Sequence, residues 1–155
     1  MKIQAHIAKF KNLDATLQRL DPRSDSELWI WTAMNAGVHL LNAALHSTGA
    51  TRELDSFHTQ VEGLYAVPDR ALGVLKDVLH EPGDVMHVGQ PPIAQPLPPE
   101  IERASISLKV IEDLREPHVR GSEAIRPGAE QEWTRAYRDC IDLLVGSLRV
   151  HGKII

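Results

Sequence analysis

The sequence predicts an all-α fold, a single-domain bundle of five to six helices with a long proline-rich connecting strap. Apolar residues recur at spacings of three and four along most of the 155 residues, which is typical of helix faces that pack on a core. No segment shows convincing alternation of apolar and polar residues, the pattern of a half-buried strand. Residues 82–99 hold six of the ten prolines, so we expect one helical domain, 1–155, interrupted by a proline-rich loop at 82–99.

Boundary signals delimit the first two helices. The first helix is expected to end at Asp21-Pro22, because a residue that precedes proline is pushed away from helical geometry. Ser24, followed three residues later by Glu27, is a capping-box pattern and predicts the start of the second helix. Gly49 predicts its end, since glycine readily takes the left-handed conformation found after helices. The apolar face of the first helix is Ile3, Ile7, Phe10, Leu13, Leu17 and Leu20.

The rest of the chain predicts further helices around the strap. Helical spacing of apolar residues after Thr51 predicts a third helix over about 51–64, and Pro68 suits the first turn of a fourth over 69–80. Proline density predicts an extended conformation for the strap, and a loop of this length is often functional or mobile. Two more amphipathic stretches predict helices over 100–115 and about 129–151.

Composition argues against several classes of protein. Apolar residues make up 43% and charged residues 25% of the chain, as in ordinary globular proteins. A net charge of −4 and a pI near 6.0 argue against nucleic-acid binding, which favours a basic surface. The lone Cys140 cannot form an internal disulfide, which favours a cytoplasmic location. Residues 28–46 lack charge but carry two asparagines and two histidines, too polar for a membrane span.

One stripe of the second helix is the main candidate for a site. Asn35, His39, Asn42 and His46 fall within about 60° of one another when the chain advances 100° per residue. Apolar residues occupy most of the remaining circumference. We therefore expect this helix to be central, with the stripe facing a crevice, a polar neighbour or a partner subunit.

Three interpretations of this polar stripe remain open. The four side chains are structural polar groups satisfied by buried partners, or they line an interhelical pocket for a small molecule, with His87 on the strap as part of its lid. The third interpretation is a metal site at His39 and His46. These two histidines are seven residues apart, about 10 Å by helical rise, whereas chelation from one helix favours a spacing of four. Further ligands would have to come from a carboxylate or from His58, His80, His87 or His118.

A resemblance to a known family offers another alternative. The segment Arg52-Glu-Leu-Asp-Ser-Phe-His58 has an arginine and a histidine with five residues between them. This spacing, the chain length and the helix content resemble the HEPN family of helical nucleic-acid-processing proteins. With 11 arginines and 8 histidines in the chain, about one or two such matches arise by chance. The resemblance implies nucleic-acid processing with Arg52 and His58 in the site.

The leading expectation is a self-associating helical protein of undetermined function with no evident catalytic motif. Glycine-rich phosphate loops and serine-hydrolase motifs do not occur in the sequence. We expect no cofactor and no metal, His39 and His46 being the candidates if a metal binds. The apolar second helix and the tryptophans at its start, Trp29 and Trp31, favour a homodimer. Whether the protein is an enzyme is left open.

Overall fold

The computed structural model describes residues 1–54, 57–59, 61, 64–79 and 83–153. Within them, four α-helices and one short π-helical segment accompany a small antiparallel sheet with the strand order β1-β2-β3. The elements in chain order are α1 (Ile3–Leu17), α2 (Ser26–Ser47), β1 (Phe57–His58), β2 (Leu64–Asp69), β3 (Val74–Leu79), α3 (Pro99–Glu112), the π-helical segment (Arg115–Arg120) and α4 (Ala129–Val150).

Helix α2 is the centre of the fold. It contacts α1, α3 and α4, and most of its residues are buried, as expected for a helix with apolar residues around most of its circumference. The approach of α3 is close at Gly37, where an added Cβ atom would lie 2.4 Å from Cδ1 of Leu108. The central position of α2 determines which groups its polar stripe can meet.

The prediction of an all-α bundle of five to six helices is wrong. The expected helices over 51–64 and 69–80 are replaced, in the described residues, by the three strands. Asp69 Oδ1 accepts hydrogen bonds from the backbone N–H groups of Ala71 and Leu72, and Gly73 has a φ of 66°. An aspartate that closes a turn and a glycine in the left-handed region are typical of hairpin connections. The turn chemistry therefore prevails over the apparent helical spacing.

Pro68 was expected in the first turn of a helix, but it lies in β2 opposite Leu75 of β3. Strand β1 pairs only with Tyr65 and Ala66 of β2, so Pro68 lies beyond the part of β2 that has partners on both sides. A proline is tolerated in a strand where it removes no ladder hydrogen bond. This hairpin exposes several apolar side chains, namely Leu72, Val74, Leu75 and Val78.

The predicted capping box at the start of α2 is also wrong. Helix α2 begins at Ser26, and its N-cap residue Asp25 makes no side-chain cap hydrogen bond. The backbone N–H and the hydroxyl of Ser24 both donate to Oδ1 of Asp21 instead. The stop signal is confirmed, since Gly49 follows the helix with a φ of 76°.

The structure describes residues 83–99 of the strap predicted at 82–99; residues 83–98 contain no helix, and Pro99 is the first residue of α3. The first residues of the strap contact α2 through Val85, and further on the N–H of Val88 donates to both carboxylate oxygens of Glu112 in α3. The strap is therefore attached to two helices, and the attachment at Val85 brings the neighbouring Asp84 to the candidate site.

The apolar surface that favoured a homodimer is largely covered within the chain. Trp29 is buried and packs edge-on against Tyr137 of α4. Trp31 remains 39% exposed, with the guanidinium of Arg115 over its ring. The homodimer stays a prediction. Among the described residues, none of the helices combines the length and the hydropathy needed to cross a membrane.

Candidate functional site

Three histidines and one aspartate meet between α1, α2 and the strap, and we call this group, His6, His39, His46 and Asp84, the His–Asp cluster. Oδ1 of Asp84 lies 3.1 Å from Nε2 of His46 and 3.2 Å from Nε2 of His6. Nδ1 of His6 lies 3.0 Å from Nδ1 of His39. The amino group of Met1 lies 2.6 Å from the same Asp84 oxygen.

The helix faces explain why the imidazoles converge. His6 lies on the apolar face of α1, three residues after Ile3 and four before Phe10, and is 1% exposed. Residues three and four apart share one helix face, so the face that buries Ile3 and Phe10 also turns His6 towards α2. His39 and His46, two turns apart on α2, lie on either side of this ring, with centroids 5.2 and 5.3 Å away.

Asn42 positions the aspartate. Its Nδ2 donates to the carbonyl oxygen of Val85 at 2.9 Å, and its Oδ1 accepts from the N–H of Val85 at 2.7 Å. Both contacts are buried, where hydrogen bonds to a polar side chain are costly to lose. Because Asp84 directly precedes Val85, this pair of hydrogen bonds brings its carboxylate to His46, one helical turn after Asn42.

Outer contacts orient two of the histidines. Nδ1 of His46 lies 2.7 Å from the hydroxyl oxygen of Thr51 in a buried contact, which leaves Nε2 of His46 directed at Asp84. His39 orients His6 in the same way, because Nδ1 of His39 lies within hydrogen-bond distance of Nδ1 of His6. Nε2 of His6 is buried and, despite its 3.2 Å approach to Asp84, has no hydrogen-bond partner among the described residues.

The charges in the cluster follow from burial and proximity. Burial alone would raise the pKa of Asp84, but its interactions with His46, His6 and the Met1 amino group outweigh burial and hold the pKa well below its usual range. Burial, together with the electrostatic interactions of His39 with His6 and Lys9, lowers the pKa of His39 to about 4. Near pH 7 the cluster thus contains an ionised carboxylate and a neutral His39.

The structure places only some of the predicted site residues in the His–Asp cluster. His39 and His46 belong to the cluster, and Asn42 supports it. Asn35 is exposed and donates to the carbonyl oxygen of Trp31 in its own helix. His87 pairs with Glu112 of α3, with Nδ1 3.5 Å from Oε1, so neither Asn35 nor His87 contacts the His–Asp cluster.

Of the further ligands considered from the sequence, His118 lies outside the His–Asp cluster. His118 contacts the carbonyl oxygen of Glu123 and the ring of Trp133. His58 lies in β1, and His80 lies outside the described residues. Arg52, the other residue of the HEPN-like spacing, is exposed just before that strand, and a role of Arg52 and His58 in nucleic-acid processing stays a prediction.

Sequence reasoning missed His6 and Asp84, the two residues that complete the cluster. A signal existed for His6, which is a polar residue at a core position of the first helix, between Ile3 and Ile7. No local signal marks Asp84, because its position depends on the contact between Asn42 and Val85. A comparison with protein-family models, with curated proteins and with solved structures finds no match for this chain.

The cluster has the composition and spacing of a metal site. Within the described residues, His6, His46 and Asp84 each offer one ligand atom, and these atoms all lie within 4.8 Å of one another. The side chains of His6 and His46 are almost fully buried, while that of Asp84 is 26% exposed. An ion would therefore be shielded by the two helices and reached from the side of the strap.

Proposed function

We propose that the protein binds a divalent transition-metal ion through Nε2 of His6, Nε2 of His46 and a carboxylate oxygen of Asp84. The observation that carries the proposal is the convergence of these three ligand atoms, all within 4.8 Å of one another. They come from positions 6, 46 and 84, so the site depends on α1, α2 and the strap packing together.

The separations of the ligand atoms suit a metal ion. Zinc binds imidazole nitrogen and carboxylate oxygen at about 2.0–2.2 Å, which places two ligands of a tetrahedral site about 3.3–3.5 Å apart. The two imidazole nitrogens lie 3.2 and 3.1 Å from Oδ1 of Asp84, close to these separations, and the three ligand atoms lie within 4.8 Å of one another. A bound ion would also give Nε2 of His6 the partner that the described residues do not supply.

Hydrogen bonds beyond the ligands support the same proposal. Metal-bound histidines usually donate their second ring N–H to an acceptor, which fixes the tautomer and the ring orientation. With a metal at both Nε2 atoms, Nδ1–H of His46 would donate to the hydroxyl of Thr51, and Nδ1–H of His6 would donate to Nδ1 of His39. The low pKa keeps His39 neutral near pH 7, and its Nδ1 would accept this hydrogen bond in the tautomer that carries the proton on Nε2.

The ligand types favour a class of ion. Imidazole nitrogen suits zinc, copper, iron and nickel, whereas magnesium and calcium prefer oxygen ligands. Two imidazoles with one carboxylate therefore favour Zn²⁺, Fe²⁺, Co²⁺ or Ni²⁺ over the alkaline-earth ions. Zn²⁺ and Co²⁺ are practical probes, because Co²⁺ reports its coordination through visible absorption.

The test is titration of chelator-treated, tag-free protein with Zn²⁺ by calorimetry and with Co²⁺ by absorption. We expect one ion per chain and a visible Co²⁺ band of a site with nitrogen and oxygen ligands. Asp84→Asn and His46→Gln should each weaken Zn²⁺ binding at least about 100-fold, and Thr51→Val about 10- to 100-fold. Circular dichroism of each variant shows that it is folded.

The matched control is His87→Gln. It removes another histidine that faces a carboxylate, at 3.5 Å from Glu112, and it should leave Zn²⁺ binding unchanged. Absence of stoichiometric binding to the wild-type protein would refute the proposal. Equal Zn²⁺ affinity of folded Asp84→Asn, His46→Gln and wild-type protein would refute it as well, because binding would then lie elsewhere.

A further inference from the structure

A separate cleft lies between the C-terminal half of α1, the connection to α2 and the middle of α4. Its volume is about 310 Å³, at the lower end of the range of small-molecule sites. None of the residues that line it belongs to the His–Asp cluster. The cleft is therefore a candidate site separate from the His–Asp cluster.

The walls of the cleft are partly polar and partly apolar, and the apolar part comes from α1, the connection to α2, α2 and α4. Leu17, Leu20, Trp29 and Ile141 contribute to them, and Trp29 is held edge-on against Tyr137, with ring centroids 6.0 Å apart. Leu17 and Trp29 are buried, whereas Leu20 and Ile141 are partly exposed. An apolar ligand body that covered these side chains would remove apolar surface from water, which favours binding.

The carboxylate of Asp14, held in place by a hydrogen bond, lines the same cleft. The hydroxyl of Tyr137 donates to Oδ1 of Asp14 at 2.9 Å, joining α4 to α1. Burial and the charge of Asp14 raise the pKa of Tyr137 above its ordinary value, so the phenol keeps its proton and stays a donor. Within the described part of the chain, Asp14 has no cationic partner.

Two more charged side chains line the cleft from α4, Asp142 and Arg138. Both are exposed, and neither forms an ion pair among the residues that the structure describes. The cleft thus combines two carboxylates with one guanidinium and has an excess of negative charge. A positively charged ligand group is favoured, most strongly beside Asp14, because a half-buried carboxylate is less screened by water.

We propose that this cleft binds a small organic cation, a protonated amine attached to an apolar body. The ammonium group would donate to the carboxylate of Asp14 that Tyr137 holds in place, and the apolar body would lie against Leu17, Leu20 and Ile141. Charge-assisted hydrogen bonds of this kind are stronger than neutral ones, and the cleft accommodates only a small ligand. The site is independent of the metal site, which lies on other residues.

The experiment uses three probes with the same ring and different charge: 2-phenylethylamine, 2-phenylethanol and 3-phenylpropanoate. Their binding to the full chain is measured by amide chemical-shift changes in NMR titrations. The amine should bind, with shifts centred on the residues of α1 and α4 that line the cleft. The alcohol and the acid should bind at least about tenfold more weakly, the size expected for loss of a charge-assisted hydrogen bond.

Three variants locate the binding. Asp14→Asn keeps the shape of the side chain and an acceptor for Tyr137, and it should weaken amine binding at least about tenfold. Leu20→Trp fills the cleft without changing its charge and should abolish binding. Asp139→Asn is the matched control, because Asp139 is an exposed carboxylate of α4 outside the cleft lining, and amine binding should remain unchanged.

The outcomes separate the possibilities. Equal binding of amine and alcohol, tighter binding of the acid, or unchanged amine affinity in folded Asp14→Asn would each overturn the proposal. Unchanged binding in Leu20→Trp would place the amine elsewhere and overturn it too. Because the NMR spectrum of each variant reports its fold directly, a variant that fails to fold is recognised, and the comparison of the three probes on the wild-type chain still decides.

Discussion

Asn42 and Val85, 43 residues apart in sequence, are joined by two buried hydrogen bonds, one in each direction between the side-chain amide and the backbone. This pair attaches the strap to α2 and brings Asp84 within 3.1 Å of His46. The geometry of the candidate metal site therefore depends on a residue that is not itself a proposed ligand.

Replacing Asn42 should cost stability. Asn42→Ala leaves the buried N–H and C=O of Val85 without these partners, and each unsatisfied group costs about 1–3 kcal/mol, so we expect a loss of about 2–6 kcal/mol in the free energy of unfolding. Urea denaturation monitored by circular dichroism measures it. Zn²⁺ affinity should fall as well, because Asp84 loses its support.

Asn35→Ala is the control for this change. Asn35 also donates to a backbone carbonyl four residues earlier in α2, but it is exposed, so we expect a change within about 0.5 kcal/mol. Similar losses in the two variants would contradict the distinction between a supporting and a peripheral residue of the stripe.

The close packing of α2 on α3 can be tested at Gly37. An added methyl group would lie 2.4 Å from Cδ1 of Leu108, a fully buried side chain, so Gly37→Ala should destabilise the protein by about 1–3 kcal/mol through overpacking. Gly146→Ala in α4 meets nothing within 4 Å and should stabilise the helix by about 0.5–1 kcal/mol. Thermal unfolding of both variants checks the opposite signs, and stabilisation by Gly37→Ala would show that α3 can move away.

The buried thiol of Cys140 should make the protein less stable at alkaline pH. Burial raises the pKa of its thiol from 9.0 to about 12. Between these values the unfolded chain has lost the thiol proton and the folded chain retains it, so the unfolded state binds fewer protons and stability falls as pH rises. The stability that the protonated thiol contributes is fully present below pH 9, and the free energy of unfolding decreases by about 1.4 kcal/mol per pH unit above it.

The difference between wild type and Cys140→Ala isolates this contribution. Urea unfolding at pH 8, 9.5 and 10.5 should show a steeper decline for the wild-type protein, whereas parallel declines would exclude the predicted shift. The native thiol should also resist a disulfide exchange reagent at pH 8 and react after unfolding, since the thiolate is the reactive form.

The hydrogen bond from Tyr137 to Asp14 should stabilise the packing of α4 on α1. Tyr137→Phe keeps the ring against Trp29 and removes the donor, so we expect a loss of about 1.5–3 kcal/mol, the range for hydrogen bonds to charged groups. Asp14→Asn retains an acceptor and should cost less. Denaturation of both variants measures the difference, and a larger loss in Asp14→Asn would contradict this account of the contact.

The sequence predicted one part of the candidate site and missed the other. The stripe on α2 was visible because His39, Asn42 and His46 interrupt an apolar helix at helical spacing. His6 was visible in principle, as a polar residue on the buried face of the first helix. The contacts of Asn35 with Trp31 and of His87 with Glu112 needed the structure, because spacing along a chain does not reveal which neighbour covers each helical turn.

In the hairpin of β2 and β3, apolar periodicity alone does not distinguish a helix from a pair of strands. Leucine and valine at spacings of three and four in 69–80 also fit a helix, so the pattern alone decided nothing between the two. Asp69 and Gly73 were the better indicators of the conformation, because they form the turn that joins β2 to β3. Local turn chemistry and strand pairing decided the conformation of this segment.

The sequence by itself determined the helices α1, α2, α3 and α4, the central position of α2 and the polar stripe on its surface. These features follow from side-chain periodicity within a single segment, which does not depend on the rest of the chain. Only the tertiary structure decided that His6 and Asp84 meet His46. That meeting depends on contacts between residues about 40 positions apart, namely the packing of α1 on α2 and the hydrogen bonds of Asn42 to Val85, and no local pattern encodes them.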